Sequence, residues 1–118
     1  TPDGTGIRDY IHVMDLAEGH FLALRYLLKE KSQFITLNLG TGIGTSVLDL
    51  IQIFQKVNNV EIPFIFEDRR PGDNAFVVAD NSLAKSTLGW IPKRNIEDMC
   101  RDGWKWQLLY SNEHEKVI

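Results

Sequence analysis

Residues 34–51, FITLNLGTGIGTSVLDLI, run from an alternating apolar stretch through three closely spaced glycines into a helical pattern. A strand that ends in a glycine turn and opens a helix commits a chain to mixed α/β packing, because the apolar period changes from two to about 3.6 across the turn. Dinucleotide-binding folds begin the same way, so the glycine spacing decides what the turn can hold. That fingerprint needs glycine at its first, third and sixth positions, and the last lets the helix pack tightly on the strand. Counted from Gly40, the sixth position is Thr45; counted from Gly42, it is Val47. Neither register fits, although an acidic pair, Glu67 and Asp68, follows a second apolar run. The simpler reading is that Gly40, Gly42 and Gly44 supply unusual backbone angles to a strand-to-helix turn.

The rest of the chain alternates in the same manner. IRDYIHV (7–13) reads as an extended segment, and residues 15–31 as an amphipathic helix. Leu16, His20, Phe21, Leu24, Leu27 and Leu28 form the helix's stripe, with Asp15 and Glu18 as a capping box. FITLNLG (34–40) is a strand apolar on both faces, the pattern of a parallel sheet covered by helices. It is expected to border a sheet that lies outside this chain. Ser46 and Asp49 cap a second helix to about Val57. EIPFIFED (61–68) reads as an edge strand, RRPGD (69–73) as a turn and AFVVAD (75–80) as extended. Asp80 caps a short helix over 81–88, and Asn95 opens a last helix to about Tyr110, with a polar, fraying tail after Ser111.

The 118 residues, 43% hydrophobic, suit one small α/β domain with a modest core. A net charge of −3 argues against a nucleic-acid partner. A single cysteine, Cys100, allows no internal disulfide and points to a reducing cytoplasm. No apolar run has the length of a membrane span, and no signal-peptide pattern is present. TPDGTG reads as a turn within a longer protein, so the chain is expected to be a fragment.

Arg8 stands in an otherwise apolar extended segment beside Tyr10, and Arg70 precedes a tight turn closed by Asp73. Two guanidinium forks on separate segments suit a diphosphate. Arg8 could equally pair with Asp9 or Asp15, and RRPGD could be an ordinary charged turn. His12, His20 and His114 lack metal-ligand spacing, and His20 faces the helix stripe. Trp90, Trp104 and Trp106 suit core or cover. No Gly-x-Ser-x-Gly elbow occurs, and the residues four beyond Tyr10, Tyr26 and Tyr110 are Met14, Glu30 and His114, so a Tyr-x-x-x-Lys dyad is absent. No residue is assigned a catalytic role.

DGTGIRDYIHVMDLAEGH, LNLGTGIGTSVLDLI, RRPGD and AD.S.AK..LGW.P, in that order, resemble the C-terminal portion of the UDP-glucose 4-epimerase family, part of the extended short-chain dehydrogenase/reductases. The resemblance runs to about Gln107, and GIRDYIHVMDLA is its most specific piece. It implies that residues 1–118 are a small mixed α/β C-terminal domain that binds the UDP-sugar. An N-terminal Rossmann domain outside this chain would hold NAD and the Tyr/Lys pair. The implied reaction interconverts UDP-glucose and UDP-galactose through a 4-keto sugar, in galactose metabolism, and the implied assembly is a homodimer. By position, Arg8 and Arg70 correspond to diphosphate-gripping arginines, Tyr10 and Val47 to residues lining the nucleotide pocket, and Asp73 to a ribose-binding acid. Val77, four residues beyond Asp73, corresponds to the position facing the sugar's 2-substituent. A nucleotide-sugar dehydratase or decarboxylase, or a stand-alone binding domain without chemistry, are the alternatives.

Overall fold

The structure, a computed structural model, describes residues 1–29 and 34–114. Three two-residue strands form a small mixed sheet in the order β2-β1-β3. β1 (Ile7–Arg8) pairs antiparallel with β2 (Thr45–Ser46) and parallel with β3 (Phe76–Val77), which places Arg8 opposite both Thr45 and Val77. The described residues form four helices, α1 (Val13–Lys29), α2 (Val47–Asn58), α3 (Ser82–Leu88) and α4 (Ile96–His114); α2 packs on α4 and continues from β2, and α1 packs on α3. The sequence-predicted end of α1, at Glu30 and Lys31, and the tail beyond His114 lie outside the described residues.

Local signals set three of the helix ends. Ser46 Oγ accepts the Asp49 N–H at 3.0 Å and opens α2. Asn95 and Asp98 exchange side-chain-to-backbone hydrogen bonds, Asp98 N–H to Asn95 Oδ1 at 2.9 Å and Asn95 N–H to Asp98 Oδ2 at 3.2 Å, the reciprocal capping arrangement that opens α4. Asp80 accepts the Ser82 N–H at 2.9 Å, although the residue flanking α3 is Asn81.

The fourth end corrects the sequence reading. Asp15 and Glu18 do not cap α1, which begins two residues earlier. His12 caps it instead: its Nδ1 accepts the Met14 N–H at 3.0 Å and its carbonyl accepts the Leu16 N–H. With Nδ1 accepting, the Nε2–H donates to Asp102 Oδ2 at 3.0 Å, so buried His12 ties the start of α1 to α4. Asp15 is fully buried and turns toward the segment before α4. Its Oδ2 accepts the Lys93 and Arg94 N–H groups at 3.0 and 2.9 Å, and Arg94 Nη1 bonds its Oδ1. Glu18 pairs with Lys93 and Arg94. The indole of Trp90 donates to the Asp15 backbone carbonyl at 2.9 Å, so helix start, turn and core close on one residue.

The packing is thin. Buried apolar side chains are Ala84, Trp90 and Cys100, and α2 meets α4 through an edge-on Phe54–Trp104 contact at 5.7 Å. Trp106 is exposed. The radius of gyration, 17.7 Å, exceeds the roughly 13.5 Å expected for a compact domain of this length. The accessible surface, 9090 Å², exceeds the roughly 6,500 Å² of a monomer of this mass. Two predicted strands lack a ladder. Residues 34–39 run extended without a strand partner among the described residues, and Phe34 is 95% exposed while Ile35, Leu37 and Leu39 are half-buried, so one face is covered and not both. Residues 61–68 likewise form no ladder there, with Phe64, Ile65 and Phe66 exposed. His20 lies outside any core, its ring bonded to the Leu16 carbonyl one turn back.

Candidate functional site

The glycine turn does hold an anion, and the anion belongs to the chain. Thr41 N–H donates to Asp9 Oδ1 at 2.8 Å, and Gly42 and Ala79 N–H donate to Oδ2 at 2.9 and 3.2 Å, with the Thr41 hydroxyl as a fourth donor. Burial pushes the Asp9 carboxyl up, but these donors outweigh it and leave the group below its ordinary range. Only Gly42 has a left-handed backbone, φ 76°. Gly40 is needed for close approach instead, since a Cβ there would stand 2.6 Å from Asp9 Oδ2 and 2.5 Å from the Ala79 Cβ. The expectation that all three glycines supply unusual angles is corrected accordingly. With this nest filled by Asp9 and the glycine spacing wrong, the turn does not fit the pyrophosphate of NAD.

The arginines converge elsewhere. Arg8 does not pair with Asp9 or Asp15, because Asp9 is engaged in the glycine turn and Asp15 by Arg94. Its Nη2 reaches Asp73 Oδ1 at 2.9 Å across 65 residues of sequence. Arg70 Nη2 bonds Asp73 Oδ2 at 3.1 Å, so one carboxylate bridges two guanidinium groups. The turn that achieves this has the Pro-Gly geometry its sequence requires. Pro71 sits at its second position, Gly72 at its third with φ 82°, and the Asp73 N–H closes on the Arg70 carbonyl. Arg69 Nη2 also bonds the Asp73 carbonyl at 2.8 Å. The hydrogen bond and charge of Arg70, with those of Arg8, hold the Asp73 carboxyl below its usual range.

Arg69, Arg70 and Asp73 line a cleft of about 560 Å³ together with Thr5, Val47 and Phe66, and Arg8 is joined to it through Asp73. Glu67 and Asp68, the acidic pair after the second apolar run, line it too. Its far wall is the start of α2. Val47 N–H bonds the Gly6 carbonyl, Leu48 N–H bonds Thr5 Oγ1 at 3.1 Å, and Asp3 accepts from Thr5 and from Ser46 Oγ. The resemblance assigns Val47 to the pocket, but sequence reasoning missed Asp3 and Thr5, which hold the start of α2 in place. It also missed Gly6, where a Cβ would stand 3.0 Å from Arg8 Nη1, so glycine there lets the guanidinium fold back over the chain. The signal was present as the DGTG run before Arg8, but its partners lie some forty residues away. Tyr10 is not part of this cleft. It lines a separate hollow of about 310 Å³ with Ile43, Thr45, Pro92, Ile96 and Met99. Val77 is 47% exposed on β3, not packed in the core, and neighbours Arg8 in the sheet.

The wall's pH dependence has a definite sign. The Ser46 hydroxyl, with the Thr5 donors, lowers the Asp3 carboxyl to about 2, against an unfolded value near 3.8. A depressed folded pKa gives stability that is present above the unfolded value and lost as pH falls through the folded one. Acid titration should therefore loosen this wall between about pH 4 and 2, and Asp3→Asn should flatten that part of the unfolding profile. An unchanged profile in the variant would remove the assignment.

Two guanidinium groups and a carboxylate thus meet in a mixed α/β chain. A protein-family model described as GDP-mannose 4,6 dehydratase matches residues 1–103, and the chain belongs to that family. Within it, the chain is similar to the UDP-glucose 4-epimerase of Bacillus subtilis, 54% identical over 117 residues, which are 99% of this chain and 34% of that protein. It superposes on the UDP-glucose 4-epimerase of Stenotrophomonas maltophila, solved with NAD and formylated UDP-arabinopyranose, with a TM-score of 0.89 at 53% identity over 96% of this chain and 33% of that one. The Bifidobacterium longum enzyme, solved with NAD+ and UDP, gives 0.87 at 45% identity over 95% and 33%. The chain thus spans about a third of the length of the relatives it matches.

Proposed function

We propose that residues 1–118 form the UDP-sugar-binding part of a UDP-glucose 4-epimerase that interconverts UDP-glucose and UDP-galactose in galactose metabolism. The observation that carries the reading is the meeting of Arg8 and Arg70 on the Asp73 carboxylate, with Arg70 and Asp73 lining a cleft that Val47 also lines. Two guanidinium groups can each grip a phosphate, and a carboxylate can accept from ribose hydroxyls. Tyr10 enters the same reading as a nucleotide contact from its neighbouring hollow. NAD belongs to a domain outside these residues. The excess accessible surface and the unpaired segment 34–39 are consistent with such a domain packing on this one. The whole protein is taken as a cytoplasmic homodimer without nucleic-acid or membrane partners; among the described residues no helix is long and apolar enough to cross a membrane.

Incubating the full-length protein with UDP-galactose should yield UDP-glucose, separable by anion-exchange chromatography. UDP binding without interconversion would favour a sister dehydratase or decarboxylase. No turnover and no UDP binding would leave a domain without this chemistry.

A further inference from the structure

Asp73 spends both carboxylate oxygens on the guanidinium groups assigned to a diphosphate, Oδ1 on Arg8 and Oδ2 on Arg70. Its backbone is pinned as well, since its N–H closes the turn and its carbonyl takes Arg69. Of the charged side chains that line the cleft, Arg69 and Arg70 stand with Glu67, Asp68 and Asp73. A free anion therefore meets no surplus of positive charge, and it must compete with Asp73 for the charge of Arg8 and Arg70. Where it draws them away, Asp73, 38% exposed, exchanges charged donors for water unless the ligand supplies donors of its own. A ligand that brings hydroxyl donors along with its phosphates can supply them, and a bare polyphosphate cannot.

We propose that Asp73 sets the ligand range of the cleft as an internal anion that competes with a diphosphate for Arg8 and Arg70, favouring diphosphates that carry a polyhydroxyl group over bare ones. The inference rests on the diphosphate reading of the two arginines. Leaving one group without a partner when the wrong ligand binds is a general route to specificity. Asp73→Asn removes the competing charge while keeping the size of the side chain. It frees the arginines for any anion and weakens acceptance from ribose.

Calorimetric titration of the full-length protein with UDP and with inorganic pyrophosphate, in magnesium-free buffer, tests this. In Asp73→Asn, pyrophosphate should bind about ten-fold more tightly and UDP more weakly. Asp73→Ser, a second uncharged variant, should shift both ligands the same way if the first folds poorly. A variant that merely disturbs the turn would weaken both ligands together, and that result overturns the proposal, as does tighter binding of both by one factor. Wild-type protein that binds no UDP would overturn the diphosphate reading itself, and this proposal with it.

Discussion

Replacing Asp15 by alanine should cost the fold about 3 kcal/mol, the lower end of what removing one partner of a buried ion pair does. The carboxylate is fully buried, and burial pushes its pKa up, yet the N–H groups of Arg94 and Lys93 with the Arg94 guanidinium bring it below the ordinary value. Its loss strands two backbone donors and a guanidinium at once. Arg94 is about a third exposed and can turn to water, which holds the cost to the lower end. Trp90 lies against the same turn, so its fluorescence reports the transition. The urea midpoint should fall sharply in Asp15→Ala and less in Asp15→Asn, which keeps an acceptor for the backbone. A midpoint equal to wild type in both would mean that the turn before α4 is held by something else.

Val77→Tyr should separate two substrate pairs. Val77 pairs in register with Arg8, one strand spacing of roughly 4.8 Å away. If Arg8 grips the diphosphate, the hexose it carries lies within reach of this position. Valine has neither the ring nor the hydroxyl of tyrosine and leaves room for an acetamido group. Wild-type full-length protein should therefore interconvert UDP-N-acetylglucosamine and UDP-N-acetylgalactosamine as well as the unsubstituted sugars. Val77→Tyr should suppress the acetylated pair about a hundred-fold and spare the other. Turnover of UDP-glucose and UDP-galactose alone by the wild type would show that room at Val77 is not sufficient.

What could be read from the sequence was local. The Ser46–Asp49 cap, the Asn95–Asp98 cap and the RRPGD turn each place their partners within four residues, where residue type and spacing determine geometry. Asp15 was misread for the opposite reason. Asp at the start of an apolar periodic run signals a cap, but its partner Arg94 lies 79 residues on, and burial against Trp90 overrode the local preference. The glycine turn failed in a third way. Its spacing argued against the dinucleotide fingerprint, yet nothing near it in sequence announced that Asp9 would fill it. Segments 34–40 and 61–68 have strand patterns, but pattern supplies no partner strand, and none stands beside them among the described residues. Within the site, the two arginines and Asp73 were legible as residue types, while their sharing of one carboxylate was not.

UDP titration of the full-length protein by calorimetry tests whether Arg8 and Arg70 grip a nucleoside diphosphate. Wild type should bind UDP saturably. Arg8→Ala should weaken binding by about ten-fold or more, the loss of a charge-assisted contact. Arg70→Ala should weaken it less, because that side chain is 84% exposed and its contact is more strongly screened by solvent. Wild-type affinity for UDP in both variants would contradict the account.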